Sequence, residues 1–160
     1  MAENVSSMAK WWALYVRVST QDQAREGVSL GAQEEKCRLA LKLQDDGDAF
    51  PAKLYRELGE SGKDMDRPEM QRLLTDIKAE HIHGVVCFAL DRLSRSVLDF
   101  CNFCALAEQH GARIISVSQH IDSFSPVGRL LTNVLVSFAQ FERENGVSRI
   151  LTAVRYTASG

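Results

Sequence analysis

Residues 84–90 (GVVCFAL) constrain the fold more than any other segment: seven consecutive uncharged residues of strand length, flanked on both sides by stretches of helical spacing. A strand with no polar face and helices before and after it has both faces covered, the situation of a parallel strand inside a sheet. The rest of the chain fits that frame. Residues 11–18 (WWALYVRV) are rich in aromatic and β-branched side chains and predict a first strand, followed by a polar loop. From Ser29, a helix N-cap, Leu30, Cys37, Ala40, Leu41 and Gln44 recur at helical spacing, and DDGD at 45–48 closes the segment. Residues 51–58 predict a second strand. Residues 59–66 (GESGKDMD) carry two glycines and mixed charge, which predicts an exposed, mobile loop. Arg67-Pro68 opens a helix to about Glu80, with Met70, Leu73, Leu74 and Ile77 on one side. A helix over 96–110, stopped by Gly111, and a fourth strand over 112–117 follow. The alternation predicts an α/β fold, an open, mostly parallel sheet with helices on both faces, plus a long C-terminal helix. In such sheets ligands bind beyond the carboxyl ends of the strands.

That last helix, over 127–156, has no proline and one mid-segment glycine, Gly146, so it can extend for roughly 45 Å at 1.5 Å per residue. Between Leu130 and Phe141 it is apolar almost all round (Leu131, Val134, Leu135, Val136, Phe138, Ala139) and carries no charge. A helix of this kind is buried on more than one side. One small domain offers one side, and a second subunit supplies the other; the alternative is a helix sunk wholly in its own core.

Length and composition narrow the class. At 160 residues, 45% hydrophobic and 25% charged, the chain reads as one globular domain and not as a disordered, collagen-like or membrane protein. Its apolar stretches are too short to span a bilayer, and the head MAENVSSMAK has no secretory pattern. Cys37, Cys87, Cys101 and Cys104 sit in apolar surroundings, which predicts free buried thiols and a cytoplasmic protein. A net charge of -2 argues against a surface that wraps nucleic acid.

Two strand ends carry reactive groups. Alternation puts Arg17 and Ser19 on one face at the end of the first strand, although a serine there also simply begins a loop. After the third strand comes Asp91-Arg92-Leu93-Ser94-Arg95-Ser96. If Asp91 starts the next helix, its carboxylate caps that helix or holds an arginine, while Arg92 and Arg95 project together; a solvated, salt-bridged turn is the alternative. Adjacent strand ends would bring one hydroxyl and three arginines into a single cleft. None of His81, His83, His110 and His120 lies at either end, which argues against a Ser-His-Asp hydrolase. Guanidinium forks around a hydroxyl suit phosphoryl transfer. No carboxylate cluster for Mg²⁺ stands beside them, so the expected attack is metal-free and no cofactor is expected. His81-x-His83 is read as a helix-to-strand turn, and Cys101-x-x-Cys104 lies within a helix and is not a redox pair. There is no GxGxxG or Walker sequence.

These motifs together resemble the catalytic domain of the serine recombinases, the resolvase/invertase family with its larger integrase and transposase relatives. The resemblance runs from about Ala13 to Arg149 and rests on five ordered pieces: YVRVSTQDQ, SLGAQ, ESGKDMDRPEMQRLL, LDRLSRS and SPVGRLLTNVLVSFAQFERE. AREGVSLGAQ is closer to the large members. The resemblance implies that Ser19 is the nucleophile that becomes linked to a DNA 5′ phosphate. Arg17, Arg92, Arg95 and Arg67 would bind that phosphate, and Asp91 would order them and take part in proton transfer. Lys78, Gln23, Gln33 and Arg143 would be supporting or phosphate-binding residues. Glu142 and Arg143 would couple assembly to the site, with a dimer interface at Leu131, Val134, Leu135, Phe138, Phe141 and Glu142. It also implies DNA as partner, a homodimer that becomes a tetramer in the synaptic complex, and no membrane. The expected organisation is a flexible head (1–10), a catalytic domain (11–126), a dimerisation helix (127–156) and a tail (157–160), with DNA-binding domains outside this stretch. Ala89 and His83 depart from the family pattern, where Lys and an acidic residue are common. Two other readings of the chain are a catalytically silent dimerisation or regulatory module of the same fold and a phosphohydrolase of small esters.

Overall fold

The computed structural model describes residues 9–18, 29–58, 66–94 and 96–158, with side chains through Gly146. Five strands form one sheet in the order β2-β1-β3-β4-β5. They are β1 (Trp11–Val18), β2 (Ala52–Leu58), β3 (Ile82–Cys87), β4 (Arg113–Ser116) and β5 (Ile121–Asp122). The first four run parallel, and β5 turns back antiparallel on β4. The helices are α1 (Leu30–Lys42), α2 (Pro68–Lys78), α3 (Val97–Gln109) and α4 (Pro126–Ala158), with a 3₁₀ turn at Leu90–Arg92.

The pleat of β1 divides the core in two. Trp12 and Leu14 face Cys37 and Leu41 of α1, together with Val86 and Ile115. Ala13 and Tyr15 face the opposite layer, with Met70, Leu73 and Ile77 of α2 and Phe103, Cys104 and Ala107 of α3. This is the two-sided cover that the apolar run of the third strand demands. At Gly84 the backbone lies against the indole of Trp12, which occupies the space a Cβ would need.

Local signals set the boundaries. Ser29 caps α1 by accepting the Ala32 N–H (3.2 Å), and Ser96 caps α3 by accepting the Asp99 N–H (3.3 Å). Past α3 the chain reverses through Gly111, whose φ of 67° lies in the left-handed region. The short β5 is an addition to the expected topology. It extends the sheet where Ser123 donates its N–H to the Ile114 carbonyl and its hydroxyl accepts the Ile114 N–H, both at 2.8 Å.

α4 has 33 residues, a span of about 50 Å. Its inner side, including Leu135, Val136 and the fully buried Ala139, packs on the α2/α3 layer. Val127, Leu130, Leu131, Val134, Phe138 and Phe141 are exposed. Leu135 thus differs from the other residues expected at a dimer interface, because it contributes to its own domain's core. No described helix is long and apolar enough to cross a membrane.

Candidate active site

The carboxyl ends of β1 and β3 are neighbours. Arg17, the penultimate residue of β1, is 7% exposed. Its guanidinium donates from Nη2 to the Asp91 carbonyl (2.7 Å) and from Nε to the Arg92 carbonyl (3.2 Å). A two-point fork of this kind fixes the plane of the group, and neutral carbonyl acceptors do so without cancelling its charge. The backbone of Arg17 is held separately by Gln33 of α1. That fully buried amide donates to the Arg17 carbonyl (3.0 Å) and accepts the Arg17 N–H (3.4 Å), acting as one more strand residue would.

Asp91 does not start a helix. It lies in the 3₁₀ turn, and α3 begins six residues after it, at Val97, behind its own cap, Ser96. The Asp91 carboxylate is half exposed and stands 3.8 Å from Nη1 of Arg92, whose side chain is 1% exposed. The Asp91 carboxylate thus stands beside an arginine and caps no α-helix, the cap of α3 being Ser96. Gln119, in the β4–β5 connection, secures the turn by accepting the Leu90 N–H (3.3 Å) and the Ser116 hydroxyl. Ser94 and Ser96 bracket position 95: the Ser94 hydroxyl accepts the Ser96 N–H (3.1 Å) and donates to the Ser96 carbonyl (3.0 Å).

Arg67 reaches the same turn from the third side. It is the N-cap residue of α2, 5% exposed, and donates to the Leu93 carbonyl (3.4 Å). Three buried guanidinium groups, from β1, the 3₁₀ turn and the start of α2, therefore converge on residues 90–93. Tyr15 lies beneath them. Burial pushes its phenol above the usual range; the charges of Arg67 and Arg17 oppose that rise and Glu57 adds to it.

Glu57 is the residue sequence reasoning passed over. It pairs in register with Arg17 and is 4% exposed. Its Oε2 accepts the Tyr15 hydroxyl (3.3 Å), the Glu69 N–H (3.1 Å) and the Met70 N–H (3.2 Å). The available signal was an acid on the buried side of an alternating strand, two positions after Tyr55.

Ser19, Gln23 and Arg95 lie outside the described residues. Lys78 is exposed at the last residue of α2, about 16 Å of helix away from Arg67, and is not brought into the cluster. Glu142 is half-buried and Arg143 exposed, both on α4. The histidines stand elsewhere: His81 stacks on Trp11, and His83 bonds Asp46 (2.8 Å). His110 faces Glu80, and His120 lies between β4 and β5. Among the described residues no three His, Cys, Asp or Glu side chains are grouped to hold a metal ion. The four cysteines are free and buried.

The family model described as "Resolvase, N terminal domain" matches residues 12–159. A putative DNA recombinase of Bacillus subtilis (strain 168) is 31% identical over 131 residues, 82% of this chain and 25% of that protein. The Tn21 resolvase of Escherichia coli is 32% identical over 133 residues, 81% of this chain and 60% of the relative. The serine recombinase Gin of Escherichia phage Mu is 30% identical over 140 residues, 88% and 64%. The chain thus spans from 25% to 64% of the length of these relatives. Among solved structures, the N-terminal catalytic domain of TP901-1 integrase superposes with a TM-score of 0.69 at 34% identity, covering 86% of this chain and 99% of that one. With the sheet order, the long terminal helix and a match over nearly its whole length, the chain belongs to the resolvase N-terminal domain family and is a serine recombinase catalytic domain.

Proposed function

We propose that this domain cleaves and rejoins DNA for a site-specific recombinase through a covalent serine intermediate. The Ser19 hydroxyl attacks a backbone phosphorus and gives up its proton. The bond from phosphorus to the 3′ oxygen breaks, and that oxygen leaves as a 3′ hydroxyl after gaining a proton. The 5′ phosphate remains on Ser19 until a 3′ hydroxyl reverses the step, so the number of phosphoester bonds is conserved without an external energy source. Arg17, Arg67, Arg92 and Arg95 hold the non-bridging oxygens and stabilise the charge that builds in the transition state. Asp91 orders Arg92 and takes part in the proton transfer. Gln33 keeps the end of β1 in place, and Gln23 assists beside the nucleophile. The reaction needs no metal.

The observation that carries this reading is the fork from Arg17 to the carbonyls of Asp91 and Arg92. It ties the strand end that leads into Ser19 to the turn that leads into Arg95. The recombinase carrying this domain, incubated with DNA bearing its site and quenched with denaturant, is expected to give a protein–DNA adduct, and Ser19→Ala none. An adduct retained in Ser19→Ala would overturn the assignment.

Assembly belongs to the same proposal. The exposed residues Val127, Leu131, Val134, Phe138 and Phe141 follow one another in steps of four, three, four and three along α4. That is the seam spacing of paired helices. A second copy covers it to form the homodimer, two dimers form the synaptic tetramer, and Glu142 and Arg143 connect the seam to the site.

A further inference from the structure

A helix N-terminus leaves its first backbone N–H groups without partners inside the helix, and Ser, Thr, Asp or Asn at the cap position usually accepts one. At α2 that position is Arg67, whose side chain makes no cap hydrogen bond, and Pro68 follows it. The missing acceptor comes from another strand. Oε2 of Glu57 takes the N–H groups of Glu69 and Met70, the second and third residues of the helix, at 3.1 and 3.2 Å. The Tyr15 hydroxyl, at 3.3 Å, holds the same oxygen from β1. Because the cap is delivered from β2, the residue at the cap position is left to serve the cluster, and the position holds an arginine directed at the Leu93 carbonyl.

We infer that Glu57 is a positioning residue for strand cleavage: its carboxylate, steadied by Tyr15, anchors the first turn of α2 so that Arg67 stands against the 90–93 turn beside Arg17. This rests on the reading of Arg67 as a phosphate-binding residue. The buried carboxylate complements the positive end of the helix and adds a negative charge next to two arginines. Glu57→Gln keeps the shape and loses that charge; Tyr15→Phe keeps the charge and loses one bond.

The test is a double-mutant cycle on the cleavage rate of the recombinase carrying this domain, with Arg67→Lys as the second site. Displacing an active-site group by about an ångström costs up to roughly a hundredfold in rate. Glu57→Gln is therefore expected to slow cleavage by about tenfold or more with Arg67 present and by less than about twofold in the Arg67→Lys background, with DNA affinity changed little in either. Tyr15→Phe follows the same pattern with a smaller loss. Equal losses in both backgrounds, or no loss with Arg67 present, would overturn the inference.

A second readout separates this inference from the proposed chemistry. In the domain itself, Glu57→Gln is expected to shift the side-chain N–H resonance of Arg67 and to speed hydrogen exchange at the Met70 amide. Unchanged Arg67 and Met70 signals would contradict it whatever the fate of the Ser19 adduct.

Discussion

Arg113, at the start of β4, shows at single-residue scale how one side chain ties distant segments together. It donates from Nε to Asp122 (2.7 Å), from Nη1 to Asp46 (3.0 Å) and from Nη2 to Gln44 (2.8 Å). Asp122 in turn accepts the Phe124 N–H, and its carbonyl accepts the Ser125 hydroxyl, so the network reaches the first turn of α4. Arg113→Ala is expected to cost about 2–3 kcal/mol, below the full value of a buried pair because Asp46 and Asp122 keep some contact with water. Thermal or urea unfolding measures it. Burial pushes the Asp122 carboxyl up, but the hydrogen bonds from Arg113 and Phe124 and the Arg113 charge outweigh it and hold the group below the usual range. A depressed carboxyl contributes stability that is present above its unfolded value, about 3.9, and lost as the pH falls through the folded one. Acid unfolding of the wild type should therefore include a component that Arg113→Ala lacks. Burial also pushes the thiols of Cys37 and Cys104 to about 12. Neither should react with a disulfide reagent at pH 8 until the domain unfolds; rapid native labelling at either would contradict the packing.

Among the elements, α4 and the segment after β3 show what periodicity can and cannot reveal. The absence of breakers predicted the long helix, and an apolar surface on all sides predicted a second covering. Which residues face the domain's own core was not legible, since a helix apolar all round carries no phase; Leu135 and Val136 turn inward and Leu131, Val134 and Phe138 outward. A Val134→Asp/Phe138→Asp double variant is expected to sediment as a monomer with an almost unchanged melting temperature. Leu135→Ala is expected to lose about 2 kcal/mol of stability, the lower end for such truncations because the side chain is only partly buried. A dimer that survives the double aspartate would remove the seam. In the 90–96 segment the residue types pointed to the site, but Asp91 holds Arg17 through its backbone carbonyl, which any residue supplies. Glu57 was missed for a related reason: a cap delivered across strands leaves no local spacing to find. The two-residue β5 is too short for alternation to register.

For the molecule as a whole, the balance of 19 basic and 21 acidic residues takes its meaning from position. Arg17, Arg67 and Arg92 are gathered at the carboxyl edge of the sheet, while among the described residues most other charges are exposed on separate elements. A surface that engages DNA at one phosphate cluster should show a shallow salt dependence. For the four proposed arginines, the slope of log K against log salt is expected to be roughly -3 to -4 for the domain, and a slope near -8 would indicate a wider DNA track. The central claim is tested most directly by where the DNA is attached. Adduct from the recombinase and its site, digested with protease and nuclease and sequenced by mass spectrometry, is expected to carry the nucleotide through its 5′ phosphate on Ser19, with a free 3′ hydroxyl on the other cut end. Attachment at another residue, or a cut that leaves a 3′ phosphate, would contradict the account.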